Sequence, residues 1–287
     1  MGADVPVHGS AQVAQKPLPS GVAPRSKAGL TWWQRVGEPA LVVLCVIGAW
    51  ELLTRTGVLP AKDLPPATVI GAAFIGDIQQ SRVWEALGAT LTSWAVGLAG
   101  SILVGIPAGL LLGSSQLAYR LFQPSLEFVR TIPSIAALPL LILLLGTRGY
   151  QLAAAMTFLG AVWPIMIQTM YGVRDVDPTT MDAGRAYGLG PFQLFIRIVL
   201  PSAFPYIATG LRLGAVVGLL LSVAASLIAG GTGIGFLIVN ASFSGVPELV
   251  YARIVLTGIV GLGVTLTLVA IESRLLFWHA SRRRTVT

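Results

Sequence analysis

The chain has 287 residues, of which 54% are hydrophobic and only 11% charged, and its mean hydropathy is +0.78. A soluble domain carries roughly 25% charged residues, so this composition excludes a water-facing protein and indicates one that lies in a lipid bilayer. A net charge of +7 would suggest a nucleic-acid partner in a soluble protein. In a membrane protein, basic residues in short loops set the topology instead, and we predict no nucleic-acid partner.

Cysteine and histidine are too scarce for several kinds of site. The chain has one cysteine, Cys45, in an apolar run, and its histidines are His8 and His279, close to the two ends. This census excludes an intramolecular disulfide, a cysteine metal site and a buried histidine-based catalytic centre. We therefore predict no catalytic residue, no metal site and no cofactor on this chain, which argues against a membrane enzyme.

Apolar runs divide the chain into about six predicted spans in an all-α fold. Residues 1–30 are rich in Pro, Gly, Ser and Ala and are predicted to be a disordered tail. A transmembrane domain follows at 31–280, with a short tail at 281–287. About 20 apolar residues cross a bilayer, and this length predicts spans at about 38–53, 87–112, 135–145, 152–171, 206–229 and 250–277, with a short interfacial helix at 67–78.

The basic residues give the predicted spans an orientation. With the N-terminus inside, thirteen of the nineteen Lys and Arg fall in cytoplasmic segments, Arg130 among them. The outer segments hold five, which are Arg55, Lys62, Arg82, Arg148 and Arg253, and Arg212 lies near the inner end of the fifth span. Because cytoplasmic loops are enriched in Lys and Arg, both termini are predicted to be cytoplasmic.

The segment 172–205, between the fourth and fifth spans, is predicted to form two short helices. Asp177 can cap the first helix, with Pro178 at its first position, and Gly188 fits the left-handed residue that ends it. The second begins at Pro191 and is predicted to stop at Pro201. Its apolar side chains, in a loop that faces water, indicate a docking surface. The alternative is an amphipathic connector that lies on the membrane.

This segment resembles the cytoplasmic motif of importer permeases of the ATP-binding-cassette class. That motif reads EAA, three residues, Gly, nine residues, Ile-x-Leu-Pro; here Asp182-Ala183-Gly184, Gly188 and Ile198-Val199-Leu200-Pro201 stand at those positions. Asp182 replaces Glu, and Gly184 replaces Ala, which weakens a helix by roughly 1 kcal/mol. The resemblance implies that the following residues couple the chain to an ATPase: Asp182, Ala183, Gly184, Arg185, Gly188, Phe192, Ile198, Leu200 and Pro201.

Shorter segments are similar to the subfamily that serves nitrate, taurine, aliphatic sulfonates and related small anions or thiamine precursors. They are residues 128–133 (FVRTIP), 172–178, 211–213, 233–236 and the ending Phe277-Trp278-His279. In all, the similarity covers about residues 40–280.

The resemblance implies a type I importer permease fold with a cytoplasmic coupling helix, in the bacterial cytoplasmic membrane. Its implied partners are a cytoplasmic ATPase dimer that carries ATP and Mg, a second permease copy and an extracytoplasmic substrate-binding protein. The alternative is an ion-coupled secondary transporter. That class needs ionisable residues at membrane depth, and the sequence shows almost none.

The sequence places three polar residues, Ser222, Ser226 and Asn240, in or near the outer half of the fifth span. They either line the translocation path or hydrogen-bond between helices, and the sequence leaves both roles open. The subfamily usually has a Glu where this chain has Ser226. The resemblance therefore does not identify the transported solute.

Overall fold

The computed structural model describes residues 32–146 and 150–275. The predicted tails and the ending at 277–279 lie outside these residues. The chain divides into two compact units, residues 1–49 and 50–287. In the first unit the apolar side chains from Leu41 to Ile47 are exposed.

The described residues form helices joined by short loops, with no strand among them, which confirms the all-α prediction. The helices are α1 (Trp32–Arg55), α2 (Ala67–Asp77), α3 (Ser81–Ser114), α4 (Gln116–Thr131), α5 (Leu138–Leu145), α6 (Gln151–Arg174), α7 (Pro178–Ala186), α8 (Pro191–Leu194), α9 (Leu200–Ala229), α10 (Ile234–Phe243) and α11 (Pro247–Leu275). A 3₁₀ turn at Ser134–Ala137 precedes α5, and a π turn at Phe195–Val199 joins α8 to α9.

Five of these helical stretches are long and apolar enough to cross a membrane, and a bent pair makes a sixth. The pair consists of α4 and the stretch Ser134–Leu145, which meet at 82°. The prediction of about six spans is confirmed, but the third was wrongly limited to 135–145. The hydropathy of the sequence did not reveal α4, because this helix is amphipathic and carries charged residues at Arg120, Glu127 and Arg130.

The centre of the bundle is α6, which α3 and α9 contact on two sides. Small residues four apart allow α3 to approach α6, and they are Gly97, Ser101, Gly105, Gly109 and Gly113. A Cβ at Gly109 would lie 2.6 Å from Thr169 Cβ, and one at Gly113 would lie 2.7 Å from Val173 Cβ. The sequence predicts helix packing for the small-residue run Gly97, Gly100, Gly105 and Gly109 of the second span, and the contacts of α3 with α6 confirm it.

The contact of α9 with α6 has the same design. Its small residues are Gly210, Gly214 and Gly218, again four apart. Thr157, fully buried on α6, donates to the Gly218 carbonyl oxygen at 3.1 Å.

The paired positions show that α3 runs parallel and α9 antiparallel to α6. We call the end where α6 meets α7 the motif end, and the opposite end the far end.

The helix that begins at Pro191 does not stop at Pro201, contrary to the prediction. Residues Pro191–Ala229 form one helical stretch. Proline in a helix leaves an i−4 carbonyl without its donor. Here the π turn lies just before Pro201, and the Leu200 N–H bonds to the Phe195 oxygen, five residues back. The shifted bonding accommodates the proline inside a continuous helix.

At the far end, a glycine turn separates α9 from α10, a helix that the sequence did not predict. Gly230 and Gly233 have φ of 77° and 137°, which favour glycine. The buried Ile234 N–H then donates to Thr90 Oγ1 at 3.0 Å. The turn thus ends one span and fixes α10 against α3.

A buried ion pair joins α2 to α11. Arg253, assigned to an outer segment from the sequence, is 3% exposed and pairs with Asp77, which is also 3% exposed. Its Nη1 also donates to the Leu237 carbonyl oxygen of α10 at 2.5 Å. The charge of Arg253 is therefore used inside the protein, where three helices meet, while the predicted outer side stays a prediction.

Candidate functional site

The helix α7 has well-defined ends, as the sequence predicted. The Asp177 carboxylate accepts from the Thr179 N–H at 2.9 Å and from the Thr179 hydroxyl at 2.6 Å, and these hydrogen bonds hold the pKa of Asp177 below its usual value. At the other end Gly188 has φ of 78°. The Gly188 and Leu189 amides bond back to the oxygens of Arg185 and Gly184, a Schellman motif. Both predicted boundaries are confirmed.

The second departure from the motif, Gly184, is a close-packing position. It is buried, and a Cβ there would lie 2.7 Å from Leu194 Cδ2 and 2.7 Å from Ile198 Cδ1. Glycine therefore lets α7 approach α8 and the π turn. Glycine has a lower helix propensity than alanine, but it allows a closer contact between the two halves of the motif.

The loop presents an exposed surface with aromatic and charged side chains. Tyr187 is 88% exposed and Phe192 is 75% exposed. Asp182 and Arg185, both exposed, form an ion pair at 2.8 Å. We call Asp182, Arg185, Tyr187 and Phe192 the loop surface. The sequence did not single out Tyr187, although an aromatic residue beside the left-handed glycine was visible.

An apolar cluster supports the loop surface from behind. Val173, Val199, Ala203 and Ile207 are buried together, with Leu200 packed against them. The cluster joins the end of α6 to the start of α9. Leu200 of the motif thus belongs to the interior, whereas Ala183 and Gly188 are exposed.

A cleft of about 790 Å³ opens at the motif end, beside the loop surface. Its lining includes Pro201, Ile198, Gln168, Asp175 and Arg197. The Tyr206 hydroxyl donates to the Asp175 carboxylate. The cleft therefore contains one cation and one carboxylate that already has a hydrogen-bond donor.

The three residues considered for the translocation path lie on two helices. Ser222 is 1% exposed and donates to the Thr90 carbonyl oxygen at 3.4 Å, which is a contact between α9 and α3. Ser226 is buried and donates to the Val223 oxygen in its own helix at 2.9 Å. Asn240 lies on α10, not on the fifth span, and is exposed. A role of these residues in the path stays a prediction.

Arg212 has a side-chain partner that the sequence did not suggest. Its guanidinium lies 3.2 Å from the carboxylate of Glu272 on α11, and both side chains are partly buried. The pair links α9 to α11 on the motif-end side of their contact, and it accounts for the one basic residue that the sequence left near a boundary.

Comparisons with a family model and with known proteins agree on the family to which this chain is similar. Residues 101–284 match the family described as binding-protein-dependent transport system inner membrane component. The nitrate import permease protein NrtB of Synechocystis sp. is 31% identical over 255 residues, which cover 85% of this chain and 91% of that protein. The taurine transport system permease protein TauC of Escherichia coli is 32% identical and covers 80% of this chain and 85% of TauC.

Solved structures show the same fold at lower identity. An inward-facing MetNI methionine ABC transporter aligns with a TM-score of 0.56 and 22% identity, over 68% of this chain and 94% of that chain. An amino acid ABC transporter aligns with a TM-score of 0.56 and 17% identity, over 70% of this chain and 96% of that chain.

Proposed function

Because this chain belongs to the binding-protein-dependent transport inner membrane components, we propose that it is the permease subunit of an ATP-driven importer for a small anion of the nitrate or sulfonate type. Nitrate and taurine appear in the names of relatives that are 31% and 32% identical. The observation that carries the coupling part is the loop surface, an exposed aromatic and charged patch on a well-capped helix that is packed to two spans.

The loop surface docks on a cytoplasmic ATPase. An exposed apolar patch rimmed by charge is typical of a protein contact, and Phe192 and Tyr187 supply large side chains of the kind that dominate such contacts. A connector lying on the membrane would instead be expected to turn its aromatic side chains toward the lipid. ATP and Mg bind to the ATPase, and this chain performs no covalent chemistry.

The proposed assembly has two copies of this chain, two ATPases and an external binding protein. ATP binding draws the ATPases together, and helices seated in them transmit the movement as rigid-body rotation. We place the motif end in the cytoplasm of a bacterial cell. Arg174, Arg185, Arg197 and Arg274 lie at this end, which agrees with the positive-inside rule.

The test uses the tagged chain in its native membrane, purified in mild detergent, with the accompanying proteins identified. An ATPase in equimolar amount supports the proposal. Gly188→Arg should leave the chain inserted but lose the ATPase and uptake of the anion. Gly57→Arg is the matched control, because Gly57 has φ of 76° and the same open surroundings but lies in another loop. A chain that purifies without an ATPase, even after cross-linking through residues 182–201, would contradict coupling and favour the ion-coupled secondary transporter.

A further inference from the structure

The bent span α4–α5 is interrupted beside the middle of α6. Helix α4 ends at Thr131, and the chain passes through Ile132 and Pro133 before the 3₁₀ turn begins. A cleft of about 440 Å³ opens at this break, and its polar lining includes Arg130, Ser134, Trp163 and Gln168. Within a membrane, irregular backbone is tolerated where it lines a cavity or is buried in protein. The break is therefore a place where a polar solute can be accommodated.

Measured along α6, this cleft lies within the length of a helix that is long enough to span a membrane. With its 24 residues, α6 is long enough to cross a bilayer. The lining residues Gly160 and Gln168 lie about 9–21 Å from Arg174 along the helix axis, at 1.5 Å per residue. The sequence assigned Arg130 to a cytoplasmic segment, whereas the structure includes it in the bent span. An ionisable residue at such depth is costly and usually functional.

Arg130 keeps its charge available. Within residues 32–146 and 150–275, no carboxylate forms an ion pair with Arg130, and the cleft lining contains neither Asp nor Glu. Glu127, one turn earlier on α4, accepts a hydrogen bond from Gln123 at 3.0 Å. The cleft is thus a positively charged site with one cation and no counter-charge from the described chain.

Neutral hydrogen-bond donors line the same cleft as the exposed Arg130 side chain. The Thr131 hydroxyl is engaged with the Phe128 oxygen at 2.7 Å. In the described part of the protein, the side chains of Ser134, Trp163 and Gln168 make no hydrogen bond, so a hydroxyl, an indole N–H and an amide remain available. A guanidinium matches the geometry of an oxoanion, to which it donates two parallel bonds.

We propose that this cleft, which we call the break cleft, binds the transported solute through a monovalent oxoanion group such as nitrate or a sulfonate. This deepens the importer function proposed above and rests on it. One cation balances one negative charge, and three oxygens can use the guanidinium fork and the neighbouring donors together.

The break cleft leads toward the motif end. Gln168 lines both this cleft and the larger one at the motif end. The larger cleft adds a second cation, Arg197, at the motif end. Asp175, the carboxylate of the larger cleft, accepts a hydrogen bond from the Tyr206 hydroxyl, which lessens its repulsion of an anion.

The test is charge-selective labelling of a cysteine placed in the break cleft. Ser134→Cys is made in a Cys45→Ser background, and the full chain is placed in nanodiscs of neutral phosphatidylcholine. Reaction rates are measured with an anionic sulfonatoethyl and a cationic trimethylammonioethyl methanethiosulfonate. We expect faster reaction with the anionic reagent and protection by millimolar nitrate, taurine or methanesulfonate. Replacing Arg130 by Gln should lower the anionic-to-cationic rate ratio by about tenfold or more, because the attraction of one reagent and the repulsion of the other both vanish.

Two variants control for folding and for general surface charge. Arg130→Lys keeps a cation and should keep the preference for the anionic reagent. Arg120→Gln removes an exposed arginine from the same helix and should change nothing. An unchanged ratio in Arg130→Gln, or the absence of protection by all three anions, overturns the proposal. Protection by phosphatidylglycerol in the nanodisc, without protection by soluble anions, also overturns it and identifies a lipid site.

The labelling needs no ATPase, so its outcome separates the two proposals. If an ATPase co-purifies and the cysteine shows no anion preference, the importer function stands and the break cleft is not its anion site. If the preference and the protection are found but no ATPase accompanies the chain, the anion site stands and coupling to ATP fails.

Discussion

The carboxylate of Asp77 accepts two hydrogen bonds from the guanidinium of Arg253, at 2.8 and 2.9 Å, and both side chains are buried. Asp77 ends α2, and Arg253 lies within α11. We expect Asp77→Ala to lower the free energy of unfolding by about 3–5 kcal/mol, because it leaves a buried guanidinium without its partner. The measurement is the unfolding midpoint of the purified chain in detergent.

Arg82 provides the control for this pair. It lies 3.9 Å from the same carboxylate but is largely exposed, so Arg82→Ala should cost less than about 1 kcal/mol. The double variant Asp77→Leu with Arg253→Met should be more stable than either single variant, because no buried charge is left alone. Equal losses for Arg82→Ala and Asp77→Ala would show that burial does not set the strength of the pair.

Gly109→Ala should destabilise the contact between α3 and α6. The added Cβ would lie 2.5 Å from the Met166 carbonyl oxygen and 2.6 Å from Thr169 Cβ. Neither atom is the end of a flexible side chain, so the helices must separate, at about 1–3 kcal/mol. Gly88→Ala, on the same helix with open space around it, should be neutral or stabilising by up to about 1 kcal/mol. Thermal unfolding that ranks the two variants in the opposite order would disprove the contact.

Gly184→Ala should have a much smaller effect than Gly109→Ala. Its new Cβ meets only the terminal methyl groups of Leu194 and Ile198, which can rotate away, and alanine gains about 1 kcal/mol of helix propensity. We expect the net change in stability to stay within about 1 kcal/mol and the ATPase to be retained on purification. Gly184→Leu, in contrast, should separate α7 from the π turn and release the ATPase. Retention of the ATPase by Gly184→Leu would mean that the close packing is not needed for docking.

The cap of α7 should weaken in acid. The pKa of Asp177 is held below its usual value, first by the Thr179 hydroxyl and then by the Thr179 N–H. A carboxylate whose pKa is lower in the folded state than in the unfolded state stabilises the fold at pH values above its unfolded-state pKa. This stabilisation is lost as the pH falls through the folded-state pKa. Amide exchange of α7, corrected for its intrinsic rate, should therefore accelerate in that range. Asn also caps helices but does not titrate, so Asp177→Asn should abolish the pH dependence.

Local features of the motif could be predicted from the sequence because they depend on neighbouring residues. The cap at Asp177 and the left-handed Gly188 follow from side-chain and backbone preferences within one turn. The glycines of α3 could be assigned to packing because small residues four apart serve this purpose in membrane helices. These predictions needed no knowledge of which helices meet.

Features that depend on tertiary contacts could not be predicted. The sequence gives Arg253 and Arg130 a side of the membrane but not their neighbours in space. Those neighbours lie on α2, α10 and α6, which are distant along the chain. Hydropathy does not reveal α4, because the charged residues of an amphipathic, broken span lower its mean hydropathy. The buried ion pair of Arg253 could not be predicted, because its partner Asp77 is 176 residues away in the chain.

The uninterrupted helix from Pro191 to Ala229 acts as a lever. Its main part, α9, has 30 residues and is about 45 Å long. A sideways displacement of about 3 Å at the motif end would tilt such a rod by about 4° about a pivot at its far end. The hydrogen bonding of this helix changes register at the π turn. The π turn lies between Phe192 and α9. Its stiffness therefore determines how far a displacement of Phe192 rotates α9 and how far it only bends the helix.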